Sequence, residues 1–253
     1  MKPELIERRV LGAVRLLDAA TGLRVETPLR LATPEAPTAR LTRNRSGDYV
    51  IWAVPGLEAH TTAFMQPPAQ PALGSVELTL LVSDPAGAYL EQRVVIELPR
   101  AARPEAADSI FQVMERPLYP SPAARTAASW ALVRASVKRA GTEEPLAGAL
   151  IRVLSGNGLS NQVMARGLAD ARGEALVAVP GIQVTNWNQA PGPGPVLTLR
   201  VPVTLQVIFD PAARGAPHPQ DLEERRAQLA HSEAQAELAS GQTIIRTLSV
   251  NLP

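Results

Sequence analysis

AVPG, residues 53–56, recurs as AVPG at residues 178–181. In a chain with 24 prolines and 17 glycines one tetrapeptide match decides little, so the flanks carry the argument. Upstream stand NRSGDYVIW (44–52) and DARGEALV (170–177). Both place Asn or Asp three residues before Gly (Asn44 and Gly47, Asp170 and Gly173), then an acidic residue, then an apolar run into Val-Pro-Gly. Further back, VLGAVRLLDAATGLRVETPLRL (10–31) and ALVRASVKRAGTEEPLAGALIRV (131–153) share an order of parts: alternating strand, polar Gly-containing turn, then Pro28-Leu29 or Pro145-Leu146 before the next strand. Downstream, VELTLLVSDPAG and VTLQVIFDPAARG both run from an alternating strand into Asp-Pro-Ala, at Asp84 and Asp210. A closing strand ending Leu-Pro is read in each copy, VVIELP (94–99) and TLSVNLP (247–253). Five landmarks in one order make the chain a duplication.

The landmarks are those of strands. Val76, Leu78, Leu80 and Val82 alternate with mostly polar neighbours, as do Val203, Leu205, Val207 and Phe209, which is the period of a half-buried strand. Asn-x-x-Gly and Asp-x-x-Gly suit tight turns, since the short side chains hydrogen-bond nearby backbone and Gly accepts positive φ. Pro-Gly ends a strand, because Pro donates nothing to a ladder. The expected class is all-β: two tandem antiparallel β-sandwich domains of immunoglobulin/transthyretin-like type, the second with an inserted α-helix. The expected boundaries are 1–100 for the first domain, 101–129 for a linker with an extra strand, and 130–253 for the second.

Within 130–182 the order strand, Gly turn, Pro145-Leu146-x-Gly148-Ala149, strand, Asp170-x-x-Gly173, strand, Val179-Pro180-Gly181 resembles the carboxypeptidase regulatory-like domain. The resemblance implies a transthyretin-like seven-stranded sandwich and an accessory or interaction role without peptidase activity. The first copy lacks the Gly-Ala pair after Pro28-Leu29 and has Ala39–Arg43 where the family has a shorter link.

Two segments fall outside the repeat. In 100–129 the ends are Ala-, Pro- and Arg-rich, but SIFQVMERPLYP (109–120) carries Ile110, Phe111, Val113, Met114, Leu118 and Tyr119. Those side chains favour packing, at about 25 cal/mol per Å² of apolar area removed from water. They pack as an edge strand, lie between the domains, or present a strand to a partner. The other segment, 214–241, opens with Pro219 and the acidic Asp221, Glu223 and Glu224 and stops at Gly241. That punctuation predicts a helix over 217–240, about 30 Å long at 1.5 Å per residue. Its thin apolar stripe, Leu222, Leu229 and Ala236 at spacing seven plus Leu238, fits a solvated arm or, through Leu222 and Leu229 with Arg225 and Arg226 beside them, a seam for a partner helix. A Pro/Gly-rich loop, 186–196, carries Trp187, either folded over its own loop or exposed for binding.

Composition excludes whole classes. Charge is balanced, 25 Lys+Arg against 24 Asp+Glu, so no field draws nucleic acid or anionic membrane. Only Lys2 and Lys138 are lysines, which reads as GC-rich bacterial coding bias. The absence of Cys removes disulfides, thiolate metal sites and a Cys nucleophile. His60, His218 and His231 have no metal-ligand spacing, and neither a nucleophile elbow nor a phosphate loop occurs; SGNGLSN (155–161) reads as a strand connection. No signal-peptide-like start or membrane-length apolar run is seen. The expectation is a protein without cofactor or metal, cytoplasmic or particle-associated.

The expected function is therefore non-enzymatic: a structural or adaptor protein that assembles with other protein subunits, through Leu222, Arg225, Arg226, Leu229 and Trp187. The two-copy layout with LYPSPA (118–123) between the copies is similar to accessory proteins of phage-tail-like contractile injection particles, which implies a place in a large assembly. The alternative is a carbohydrate- or ligand-binding sandwich acting through Trp187 and neighbouring loops.

Overall fold

The structure is a computed structural model that describes residues 9–63, 67–155, 162–182 and 199–252. Sixteen elements follow one another among them. They are β1 (Gly12–Asp18), β2 (Arg30–Ala32), β3 (Arg40–Arg43), β4 (Tyr49–Ala53), α1 (Glu58–Thr62), β5 (Val76–Ser83), β6 (Gln92–Leu98) and β7 (Met114–Leu118), then β8 (Ala131–Arg139), β9 (Leu150–Ser155), β10 (Val163–Leu168), β11 (Glu174–Val179), β12 (Val201–Phe209), α2 (Pro219–Glu224), β13 (Ala230–Leu238) and β14 (Thr243–Val250). The protein is all-β, with antiparallel pairing throughout the registered ladders except β14, which runs parallel to β8. Two compact units result: Met1–Leu17, Leu23–Ser83 and Arg93–Pro117 form one, and Asp18–Gly22, Asp84–Gln92 and Leu118–Pro253 the other.

The first unit carries sheets β3-β4-β1-β7 and β2-β5-β6. Alternation sends Val14 and Leu16, Leu78, Leu80 and Val82, and Val94, Ile96 and Leu98 into its interior, none of them more than 3% exposed. The second unit carries β10-β9-β12-β13 and β11-β8-β14. Val133, Ala135, Val137, Ile151, Val153, Val177, Val203, Leu205, Val207, Leu248 and Val250 form one cluster in it. Gly167 of β10 is needed there, since a Cβ would lie 2.5 Å from Val177 Cγ2 on β11.

The duplication is visible in the turns. Asn44 Oδ1 accepts the Asp48 amide at 2.9 Å; Asp170 Oδ1 accepts the Glu174 amide at 2.9 Å. The glycines that follow, Gly47 and Gly173, have φ of 84° and 76°. Each AVPG closes a strand, β4 or β11, on a glycine with φ of 82° (Gly56) or 80° (Gly181). Strand order repeats as well: β1 beside β4 and β7 corresponds to β8 beside β11 and β14, and β2-β5-β6 to β9-β12-β13. The third strand differs. β3 pairs with β4, whereas β10 pairs along the six-residue β9, whose counterpart in the first unit, β2, is only three residues long.

Two sequence-level expectations are corrected by this topology. VVIELP and TLSVNLP are not equivalent: the first is β6, hydrogen-bonded to β5, and the second lies in and just beyond β14, hydrogen-bonded to β8. The positional equivalent of β14 is β7, inside the segment read as linker, and the equivalent of β6 is β13. Nor does a helix fill 217–240. The helix stops at Glu224, and Ala230–Leu238 is a strand paired with β12 over nine registered positions. Ala, Glu and Gln favour helices, but His231, Glu233, Gln235 and Glu237 also alternate with Ser232, Ala234, Ala236 and Leu238, and pairing along all of β12 outweighs a weak local propensity. Gly241, expected to stop a helix, has φ 70° in the connection from β13 to β14.

Candidate functional site

Four of the five residues singled out for partner binding lie where 219–229 meets the outer face of β10-β9-β12-β13. The register across that sheet sets the surface. Arg166, Arg152, Gln206 and Glu233 stand opposite one another on four successive strands. Two residues along on the same face, Leu168, Leu150 and Ile208 form an apolar row in the same way. Outer faces of sheets are normally wetted, so an apolar row there needs a cover. Tyr119 and Leu222 supply it, the latter 4% exposed, with Leu229 packed at the margin.

Glu223, one residue on, reaches the charged row. Its Oε1 lies 3.2 Å from Arg166 Nη2 and 3.1 Å from Arg152 Nε. The second contact is an ion pair by distance that lacks hydrogen-bond geometry, leaving Arg152 Nε buried without a hydrogen-bond partner. Arg152 also donates to Gln206 Oε1, and Gln206 Nε2 donates to Glu233 Oε1 at 2.8 Å. Burial pulls the Arg152 guanidinium below its ordinary value, with Glu223 opposing that pull. Burial likewise pushes the Tyr119 phenol up to about 12. The arrangement docks α2 by charge beside an apolar plug.

Arg225 faces the other way. It pairs with Asp210, in the turn after β12, and with Asp221 at 2.9 Å. Arg226 is exposed and donates to the Glu223 carbonyl at 2.9 Å. Leu222 and Leu229 therefore face the sheet of their own unit rather than forming a helical seam, and Arg226 is the member of the group most open to solvent. Trp187, with the loop 186–196, lies outside the described residues, as do residues 156–161 of SGNGLSN and the first eight residues.

The histidines stay apart. His60 is buried on α1, His218 precedes α2, and the ring Nδ1 of His231 is 3.1 Å from the Leu229 carbonyl. No cluster of three His, Cys, Asp or Glu able to hold a metal occurs among the described residues. No described helix is long and apolar enough to cross a membrane.

A second feature of the same unit escaped sequence reading. A cleft of about 380 Å³ is lined by Asp18, Tyr89, Arg125, Thr126 and Trp130, with alanine, glycine and proline between them. The Tyr89 hydroxyl donates to Asp18 Oδ2 at 2.9 Å, and burial and that bond raise its pKa well above the ordinary phenol value. Nothing in the local sequence around Trp130 marks it, because the cleft joins segments more than 100 positions apart.

No protein-family model matches the chain, and no curated protein matches it. Among solved structures it is similar to the Bacillus anthracis TIE protein, at 9% identity and TM-score 0.29, over 96% of this chain and 34% of that one. It is also similar to GBS52, the minor pilin of Streptococcus agalactiae, at 8% identity and TM-score 0.25, over 96% and 97% of the two chains. A third similarity is to the shaft pilin SpaA of Lactobacillus rhamnosus GG, at 12% identity and TM-score 0.23, over 84% and 71%. The chain spans about a third of the length of the TIE protein. The all-β fold rests on the strand pairing described above and not on these likenesses.

Proposed function

We propose that the protein is a non-enzymatic structural or adaptor subunit that works by binding other protein chains. One observation carries the reading: β14 is the end strand of its sheet, eight residues long, and presents Ile245 75% exposed. An edge strand offers unpaired amides and carbonyls to a further chain, and a monomer normally blunts such an edge with charge or Pro. Here Thr243–Val250 holds no Pro and a single charge, Arg246, beside the exposed Ile245. Trp52 and Phe111, 42% and 58% exposed, add large apolar side chains of the kind that anchor interfaces.

The finer form of the proposal places the subunit in a bacterial phage-tail-like contractile injection particle, which the two-copy layout supports. Gradient sedimentation of native extract, followed by immunodetection and electron microscopy of the heavy fractions, tests both levels. Migration with a large contractile particle supports the finer reading. Migration with any smaller stable complex supports assembly and removes the particle. A freely diffusing monomer overturns both.

A further inference from the structure

We propose that the cleft bounded by Trp130, Tyr89 and Arg125 is a binding site for an acidic saccharide, a sugar carrying a carboxylate. The assembly role is not needed for this inference, which rests on different residues.

The cleft is preformed. The Asp84 carboxylate accepts the amides of Ala86, Ala88 and Tyr89 at 2.9, 2.8 and 3.1 Å, fixing one wall. The opposite wall is tied to it: the Ser121 amide donates to the Ala88 carbonyl at 2.8 Å and the Ser121 hydroxyl to the Gly87 carbonyl. Arg134 Nη1 holds the Pro122 carbonyl at 3.0 Å. At about 380 Å³ the space suits one or two sugar rings, at the small end of ligand pockets.

Its polar groups divide into one carboxylate whose acceptor sites are filled and three donors that are open. Asp18 is saturated: Oδ1 accepts the Ala20 amide, the Thr21 amide and the Thr21 hydroxyl, and Oδ2 accepts the Tyr89 hydroxyl. The phenol, its pKa raised, keeps its proton and remains a donor to Asp18. The Trp130 indole N–H, the Thr126 hydroxyl and the Arg125 guanidinium, by contrast, engage no partner among the described residues. Three free donors, one of them cationic, call for an acceptor-rich anionic ligand. The Trp130 ring gives a flat apolar surface for the C–H face of a sugar, and the small walls formed by Ala20, Ala86, Ala123 and Ala124 leave it accessible. A peptide is the poorer fit. The wall amides it would pair with already serve Asp84 and the 121–124 turn, so no ladder is on offer.

The test titrates the full chain with digalacturonate and with neutral digalactose, read by ligand-detected NMR and calorimetry. Digalacturonate is expected to bind, at least tenfold tighter than the neutral sugar. Arg125→Gln, at an exposed position, is expected to weaken the acid by about tenfold and erase the preference. Trp130→Ala is expected to abolish binding of both; its thermal unfolding is recorded alongside, and the Arg125 variant keeps the test valid if that protein is unstable. Failure of digalacturonate to bind, equal affinity for the two sugars, or indifference to Arg125→Gln each overturns the proposal.

Discussion

Asp84 and Asp210 hold the same turn in the two halves of the chain: each carboxylate accepts the amide two residues on, Ala86 or Ala212, at 2.9 Å. Their further partners differ. Asp84 accepts two more amides, of Ala88 and Tyr89, whereas Asp210 accepts the guanidinium of Arg225. An amide left without its acceptor in a packed turn costs more than the net value of the bond. Asp84→Ala is therefore expected to destabilise by about 2 kcal/mol, and Asp84→Asn, which keeps an acceptor, by roughly half of that. Urea unfolding of the three proteins measures the difference, and equal midpoints for Ala and wild type would remove the turn from the account.

Asp210 also gives a pH dependence with a fixed sign. Burial by itself would raise its pKa, but the Ala212 amide and Arg225 outweigh that, and the carboxyl is held below its ordinary value. A group whose folded pKa is depressed stabilises the fold above its unfolded pKa, near 4, and loses that contribution as pH falls through the lower folded value. The stability gap between wild type and Asp210→Asn is expected to be flat above about pH 5 and to close below about pH 3. Denaturant midpoints across that range check it; a gap that widens on acidification would reverse the assignment.

Much of the fold was legible because it is written in short-range chemistry. Asn44, Gly47, Asp170, Gly173 and the two Pro-Gly pairs act on residues next to them, so local sequence reveals them. The closing strands VVIELP and TLSVNLP look alike in sequence yet occupy different places, because alternation says which face is buried without saying which neighbour a strand has. Ala, Glu and Gln satisfy both periods, so the sequence of β13 suits a helix equally well, and the deciding fact, nine registered positions on β12, is tertiary. The charged row is the same case. Arg152, Arg166, Gln206 and Glu233 are ordinary outward residues singly, and only register makes them neighbours.

Glycines test the duplicated turns directly. Gly173 has φ 76°, and a Cβ there would sit 2.5 Å from the Val137 carbonyl and 3.1 Å from Pro145 Cβ. Gly181 has φ 80° with nothing within 4 Å. Gly181→Ala meets only the left-handed backbone penalty, about 1–2 kcal/mol. Gly173→Ala adds a backbone clash and is expected to cost about 3 kcal/mol or more, enough to depress the yield of folded protein. Similar thermal midpoints for the two variants would mean that the turn at 170–173 is looser than its hydrogen bonds indicate.

Glu223 is the lever on α2. Its carboxylate is the counter-charge reached by both Arg152 and Arg166, and Arg152 is 9% exposed. Glu223→Gln leaves that guanidinium with Gln206 and a neutral neighbour, so the loss exceeds that of a surface pair, about 1–2 kcal/mol. The helix is only six residues long and cannot persist without its contacts. The expected outcome is therefore local: faster amide exchange over 219–229 and, as Leu222 lifts, over the apolar row of β9 and β12, with β8 and β11 unchanged. Moderate salt should bring wild type part of the way towards the variant, since half-buried charges are only partly screened. Uniform acceleration across the whole second unit would instead make the α2 dock part of the global fold, and unchanged exchange at 219–229 would show that Leu222 and Tyr119 hold the helix without the charge.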